Sequence, residues 1–165
     1  MFTISEATPE DYKIIRDIAY ETWPHAYGEI LSKAQLSYML EAFYSIEALK
    51  DNVNNKGHHF LLIKENECFL GFASYENNYK NQSTTRIHKI YVLPQTQGKG
   101  VGKKLIDAIE CIANEHNSTL LSLNVNRYNK ALTFYQIIGF KIISQEDIEL
   151  DYGYLMEDFV MEKQL

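Results

Sequence analysis

The sequence predicts one mixed α/β domain: a central sheet of about seven strands flanked by four to five helices, in the order β-α-α-β-β-β-α-β-α-β-β. Three observations carry this. Short apolar runs with strand character interleave with segments of helical period along the whole chain. The 165 residues hold no repeat, no low-complexity tract and only three prolines, so residues 1–165 read as a single domain around one core. Midway, a strand, a glycine loop, an amphipathic helix and a second strand follow in turn, the pattern of a parallel right-handed crossover.

Each element has its own signal. "FTISEA" alternates as a short first strand does. "TPEDYKIIRDIAYETW" then starts a helix, with Thr8 as N-cap, Pro9 in the first position, and the acids Glu10 and Asp11 facing the positive end of the helix dipole. Its residues Ile14, Ile15, Ile18 and Ala19 share one face. A second helix from about Ser32 carries Leu36, Met39, Leu40 and Phe43 on one stripe, and a third short helix runs from Ser45 to about Asn54, where "NVNNKG" stops it. "HFLLIKE" and "CFLGFASYEN", joined by the polar "ENE", read as a hairpin. "STTRIHKIYVL" is the next strand, with Arg86, His88 and Ile90 alternating against Ile87, Lys89 and Tyr91, so one face of its outer half is expected to be exposed. Past the glycines, Val101, Leu105, Ala108, Ile109, Ile112 and Ala113 recur at helical spacing. "TLLSLNV" is a strand, "NKALTFYQIIG" a short helix closed by Gly139, and "FKIISQEDIEL" and "YLMEDFVMEK" are two last strands.

Composition narrows the class. Apolar residues make up 45% and charged residues 23%, as in ordinary soluble proteins. "MFTISEATPEDYK" has no basic segment before an apolar run, so it does not read as a signal peptide, and no stretch approaches the roughly 18 apolar residues of a membrane span. A cytoplasmic protein without a membrane partner is expected. The net charge of −6 disfavours nucleic acid and suits a cationic partner. Cys68 and Cys111 lack metal-like spacing and sit in apolar segments, so both are expected as buried free thiols.

"VLPQTQGKGVGKKL" holds most of the chemistry, with Gly98, Gly100 and Gly102 at alternate positions between a strand and a helix. A helix N-terminus offers unpaired N–H groups and partial positive charge, glycines let that backbone approach an anion, and Lys99, Lys103 and Lys104 add charge. The signature of a phosphate-binding P-loop fails, because Gln97 stands where its first Gly belongs and Lys104 where its Ser or Thr belongs. The dinucleotide pattern Gly-x-Gly-x-x-Gly fails from either starting glycine. What fits is [Gln/Arg]-x-x-Gly-x-[Gly/Ala], written here from Gln97 to Gly102.

That segment, the strand ending "IYVLP" before it and "NKALTFYQIIGF" after it resemble the GNAT superfamily, the Gcn5-related N-acetyltransferases, over nearly the whole chain. The resemblance implies the GNAT fold, a single GNAT acetyltransferase domain, and acetyl-CoA as donor without a metal. It assigns the cofactor pyrophosphate to Gln97, Gly98, Lys99, Gly100, Val101, Gly102 and Lys103, and the pantetheine arm to main-chain groups of Ile90, Tyr91 and Val92. Tyr135 would stand beside the sulfur as the acid for the leaving thiolate, a role open to a phenol of pKa near ~10. Asn129 would bond the cofactor arm. Many relatives place the asparagine where Tyr128 stands, so the choice between Asn129 and Asn126 stays open.

No general base is named by the sequence. Some relatives use a glutamate on the strand after the long helix, but the nearest polar position in "LSLNV" is Asn124, which takes no proton. Glu76, His88 and His25 qualify by chemistry alone, and a water chain serves equally. The His58–His59 pair points to opposite faces of a strand, which argues against shared metal coordination.

The acceptor side rests on two features. "ETWPHAYGEILSKAQLSYML" resembles the same stretch of bacterial polyamine acetyltransferases, and Trp23, Tyr27 and Tyr38 either wall a pocket for an ammonium or pack the helices on the sheet. Residues 145–162 hold Glu146, Asp147, Glu149, Asp151, Glu157, Asp158 and Glu162 without a Lys or Arg, which suits either a polycation or a charge-protected sheet edge. The expected function is therefore direct acetyl transfer to a small primary amine, most simply a polyamine or diamine. A protein or peptide amine and a non-catalytic coenzyme A binder are the alternatives, and pairing of the final strands would make a homodimer.

Overall fold

The computed structural model, covering Met1–Leu165, places seven strands in one sheet. They are β1 (Phe2–Glu6), β2 (His59–Glu65), β3 (Cys68–Glu76), β4 (Thr84–Val92), β5 (Leu120–Asn126), β6 (Lys141–Glu149) and β7 (Leu155–Gln164), in the spatial order β1-β2-β3-β4-β5-β7-β6. Five helices accompany them: α1 (Tyr12–Tyr27), α2 (Lys33–Tyr44), α3 (Ile46–Lys56), α4 (Val101–Glu115) and α5 (Ala131–Ile137). The β4–β5 pair is parallel and the other neighbouring pairs are antiparallel, so the crossover predicted around the glycines is β4–α4–β5. β6 forms an open edge, and most of its residues are exposed.

The third short helix read from the sequence is present as α3, so three helices, one more than the element order counted, separate β1 from β2. Ser45 causes the break. Its extended backbone (ψ 153°) ends α2, and its hydroxyl accepts the Ala48 N–H at 3.2 Å to start α3. Ser32 caps α2 in the same way through the Gln35 N–H. Thr8 caps as expected but opens a 3-10 turn, Pro9–Asp11, before α1; its N–H donates to the Asp11 carboxylate at 2.8 Å.

The sheet separates two apolar layers. Leu61, Ile63, Ala73 and Leu121, Leu123, Val125 face α4, whose residues Val101, Leu105, Ile106, Ile109 and Ala113 are buried against them. The alternate positions Phe60, Leu62 and Phe72 face α1, α2 and α3. This phase also corrects the cysteines. Cys68 opens β3 beside the hairpin turn and Cys111 lies off the buried stripe of α4, and both are exposed. Apolar neighbours in sequence do not share a face in space. No helix is long and apolar enough to cross a membrane.

Ile109, 0% exposed at the centre of the α4 interface, is expected to carry much of that layer. Ile109→Ala should lower the unfolding free energy by about 2–5 kcal/mol, measured by urea denaturation.

Candidate active site

The two central strands part company halfway along. β4 and β5 pair from Thr84↔Leu120 to Ile87↔Leu123 and no further, although β4 continues to Val92 and β5 to Asn126. A bulge in β4 accompanies the split. Against β3, Tyr75 pairs with Ile87 and Ser74 with Lys89, leaving His88 as an extra residue that bends the strand. β5 meanwhile stays paired to β7 as far as Asn126↔Asp158. A wedge-shaped gap opens between them.

Main-chain direction in the gap follows from the ladder. The Leu93 N–H donates to the Leu70 carbonyl at 2.8 Å, so Leu93 and, two residues back, Tyr91 turn their main-chain groups toward β3. Those of Ile90 and Val92 turn into the gap. The three residues named together from the sequence are therefore not equivalent: two present main chain, whereas Tyr91 presents its phenol, which lies 3.0 Å from the Tyr27 hydroxyl.

The glycine loop lies at the wide end of the gap. Thr96 is buried and its hydroxyl donates to the Leu93 carbonyl at 2.7 Å, pinning the turn that precedes the glycines. Gly98 (φ 82°) and Gly100 (φ 80°) adopt the left-handed backbone that side chains disfavour, and a Cβ on either would meet no protein atom within 4 Å. Gly102 differs, since its Cβ would rest on the Phe134 ring at 3.5 Å. The first turn of α4 leaves the N–H groups of Val101, Gly102 and Lys103 without helical acceptors, and the Lys104 N–H already bonds Gly100. Gln97, Lys99, Lys103 and Lys104 are exposed around this cradle, with Lys103 bound to Asp107 at 2.9 Å.

A cluster of hydroxyls occupies the other side. Tyr135 on α5 is 7% exposed between the rings of Phe134 and Phe140. Burial, reinforced by the nearby Tyr27 oxygen, raises its phenol above the ordinary range. Burial likewise raises the Tyr91 and Tyr27 phenols, and the Asp158 charge also pushes Tyr27 upward. The side-chain carbonyl of Asn129 accepts the Ala131 N–H at 2.9 Å, opening α5 beside Tyr27. Asn126 is more buried and accepts the Tyr128 N–H at 3.0 Å.

Trp23 and Tyr27 settle as packing: both are nearly inaccessible, and Trp23 contacts Tyr27, Tyr44 and Tyr91 edge-on or tilted. Tyr38 is different. It is half-buried, its hydroxyl donates to Asp151 at 2.8 Å, and it meets the rings of Tyr152 and Tyr154. Of the acidic run, Asp147 is taken up by Arg127, Glu146 accepts from Asn124, and Asp158 alone is buried.

The histidines also sort themselves. His59 turns to Glu6 and the Tyr75 ring, whereas His58 stacks on His88 with ring centres 3.8 Å apart. His88 Nε2 lies 2.9 Å from Glu76, and the ligand atoms of His58, Glu76 and His88 lie within 4.8 Å of one another. The sequence missed this juxtaposition, which needs the bulge that places His88 and Lys89 on one face. Arg86 and Lys89 add positive charge to the same face and oppose a bound cation there. Burial first, then the neighbouring positive charges, lower both imidazoles to about 3, so His88 is a feeble proton acceptor; His25 is exposed on α1.

The model of the acetyltransferase (GNAT) domain family matches residues 25–153, most of the chain. The chain belongs to the GNAT acetyltransferase family. This acetyltransferase is 28% identical over 119 residues to the uncharacterized N-acetyltransferase YhfO of Bacillus subtilis, a match covering 70% of this chain and 76% of that one. It is 26% identical over 165 residues to a spermidine N(1)-acetyltransferase of Thermoplasma acidophilum, covering 97% and 95%. Its fold superposes with a TM-score of 0.82 on the PaiA N-acetyltransferase of T. acidophilum in complex with coenzyme A, at 24% identity and covering 100% and 99%. The donor of the reaction is acetyl-CoA. The acetyltransferase fits that group through free amides at a helix N-terminus, a loop open where Cβ atoms would stand, and outward main chain beyond it.

Two outcomes are expected. Gly100→Ala should strain the loop by about 1–2 kcal/mol and weaken acetyl-CoA binding about five- to thirty-fold, read by calorimetric titration. The depressed histidines make the native state bind fewer protons than the unfolded chain between pH 6.5 and about 3. Stability should therefore fall as the pH drops through that window, and His88→Gln should flatten the decline in thermal unfolding profiles.

Proposed function

We propose that this acetyltransferase moves the acetyl group directly from acetyl-CoA to the nitrogen of a small primary amine, a polyamine or diamine before others. The observation that carries the reading is the gap itself, with an anion cradle at its mouth and a protonated phenol on its inner wall. The cofactor supplies an acetyl group activated as a thioester. In this reading the amides of Val101, Gly102 and Lys103, with Gln97, Gly98, Lys99 and Gly100, hold the pyrophosphate. The outward main-chain groups of Ile90 and Val92 hold the arm, and the Val92 region offers the N–H that stabilises developing charge on the carbonyl oxygen. Asn129 is preferred to Asn126 for the arm because it is the less buried of the two and stands at the start of α5.

Tyr135 then donates its proton to the departing sulfur. Its raised phenol stays protonated through the alkaline range in which amines become nucleophilic, so acid and nucleophile coexist. The preference for a polyamine rests on the acidic C-terminal strands, on the Tyr38–Asp151–Tyr152–Tyr154 group, whose rings and carboxylate suit an ammonium, and on the likeness to a spermidine acetyltransferase.

Coenzyme A release should be measured at about pH 8 against spermidine, spermine, diamines, amino acids and short peptides. Saturable turnover with polyamines is expected, and turnover with peptides alone would overturn the amine class. Tyr135→Phe should lower kcat about 10²–10⁴-fold while leaving the acetyl-CoA dissociation constant unchanged. An unaltered kcat would remove Tyr135 from the chemistry.

A further inference from the structure

We infer that Asp158 is the missing proton acceptor: its free Oδ1 takes a hydrogen bond from the attacking nitrogen and then that nitrogen's surplus proton. The inference rests on the amine-acetylating reading above and names the residue on which that reading turns.

Asp158 is 6% exposed, so folding has stripped nearly all of its water, yet Oδ1 is buried without a hydrogen-bond partner. Oδ2 is held by the Asn124 amide at 3.2 Å, which leaves Oδ1 as the unspent acceptor. A buried carboxylate with an open lone-pair site is costly for the fold and is kept where something else completes it. Alternation places it correctly. Phe159 and Met161 face α4, whereas Met156 packs toward α1–α3, so Asp158 points to that second side of the sheet. It pairs across from Asn126, the last residue of β5, three residues past Leu123, where the pairing with β4 stops and the gap opens.

The charged and titratable groups facing it come from every neighbouring element: Arg86 on β4, Arg127 after β5, Glu146 on β6 and Tyr27 on α1. Arg86 is tied to Asn124 at 2.6 Å, and Arg127 to Gln145 and Asp147, so neither arginine spends a hydrogen bond on Asp158. Burial, aided by Glu146, raises the Asp158 carboxyl above the ordinary range, which strengthens it as a base. His88 and Glu76 bond each other and are spent.

The balance closes. A neutral amine bonds the thioester carbon, the C–S bond breaks, and the sulfur takes the proton of Tyr135. The nitrogen, positive once bonded, gives one proton to Asp158 and becomes the amide. Asp158 releases its proton to water and Tyr135 recovers one, so the net products are the acetamide and coenzyme A thiol.

Asp158→Asn keeps the shape and removes the charge. Three results are expected together: kcat with spermidine falls at least a hundredfold, coenzyme A affinity is unchanged, and the melting temperature holds, because the amide keeps the shape and neither arginine bonds the carboxylate. The acid limb of the wild-type kcat profile should vanish in the residual activity. Calorimetric titration of spermidine into the coenzyme A-saturated protein should show binding at least tenfold weaker in Asp158→Asn than in wild type. Equal turnover in variant and wild type, or spermidine binding that is equal or absent in both, overturns the inference. Loss of activity together with a lowered melting temperature and lost coenzyme A affinity would make Asp158 structural and overturn it too. Should Asp158→Asn fail to fold, Asp158→Ser is measured in the same assays. Wild-type protein that binds spermidine more tightly than the variant yet never releases coenzyme A would instead sink the functional reading and leave this contact standing.

Discussion

One extra residue in β4 organises this molecule. The bulge at His88 bends the strand while β3 holds one edge of it, and β5, anchored to β7, does not follow. Had the parallel pairing continued past Ile87, the main chain of Ile90 and Val92 would be spent inside the sheet, with nothing left for a ligand. The gap therefore follows from a pairing that ends early, and α4 begins at its mouth because β4 ends there. The same bulge turns His88 and Lys89 onto one face, where Lys89 needs the Asn52 oxygen at 2.6 Å and the rings of Tyr44 and Phe60 to be tolerated.

Burial then sets the chemistry on either side of the gap. It raises phenols and carboxylates, so the Tyr135 phenol holds its proton more tightly and the Asp158 carboxylate takes one more readily than a surface aspartate does. It lowers imidazoles and amines, so His58 and His88 stay neutral and Lys89 falls to about 8. A single physical cause separates donors from acceptors by the proton each group carries when neutral. The surrounding aromatic layer of Trp23, Tyr27, Tyr44, Phe72 and Tyr91 packs ring against ring and keeps that region dry, which lowers the local dielectric around the buried hydroxyls.

Much of the site was legible in the chain because its signals are local. Gly98 and Gly100 mark left-handed backbone that only a tight, open loop requires, Ser32 and Ser45 mark helix starts, and the "FY…GF" segment places Tyr135 on a helix just before a strand. Asp158 was visible only as one acid among seven, although the alternation of Met156, Asp158 and Val160 already set it on an inward face. The exposed cysteines and the packed Trp23 and Tyr27 were less legible, since apolar character names a layer without saying which side of it a given atom meets.

The sequence by itself determined the elements, their caps, the glycine cradle and the family, because each depends on residues within a turn or two of one another. Only the tertiary structure decided where β4 leaves β5, which imidazole stacks on which, and which carboxylate loses its water without gaining a partner. Those depend on strand register and on contacts between residues tens of positions apart, such as Asn124 with Asp158 or Tyr27 with Tyr91. A periodic pattern states which face a residue takes; what waits on that face is settled when the chain closes.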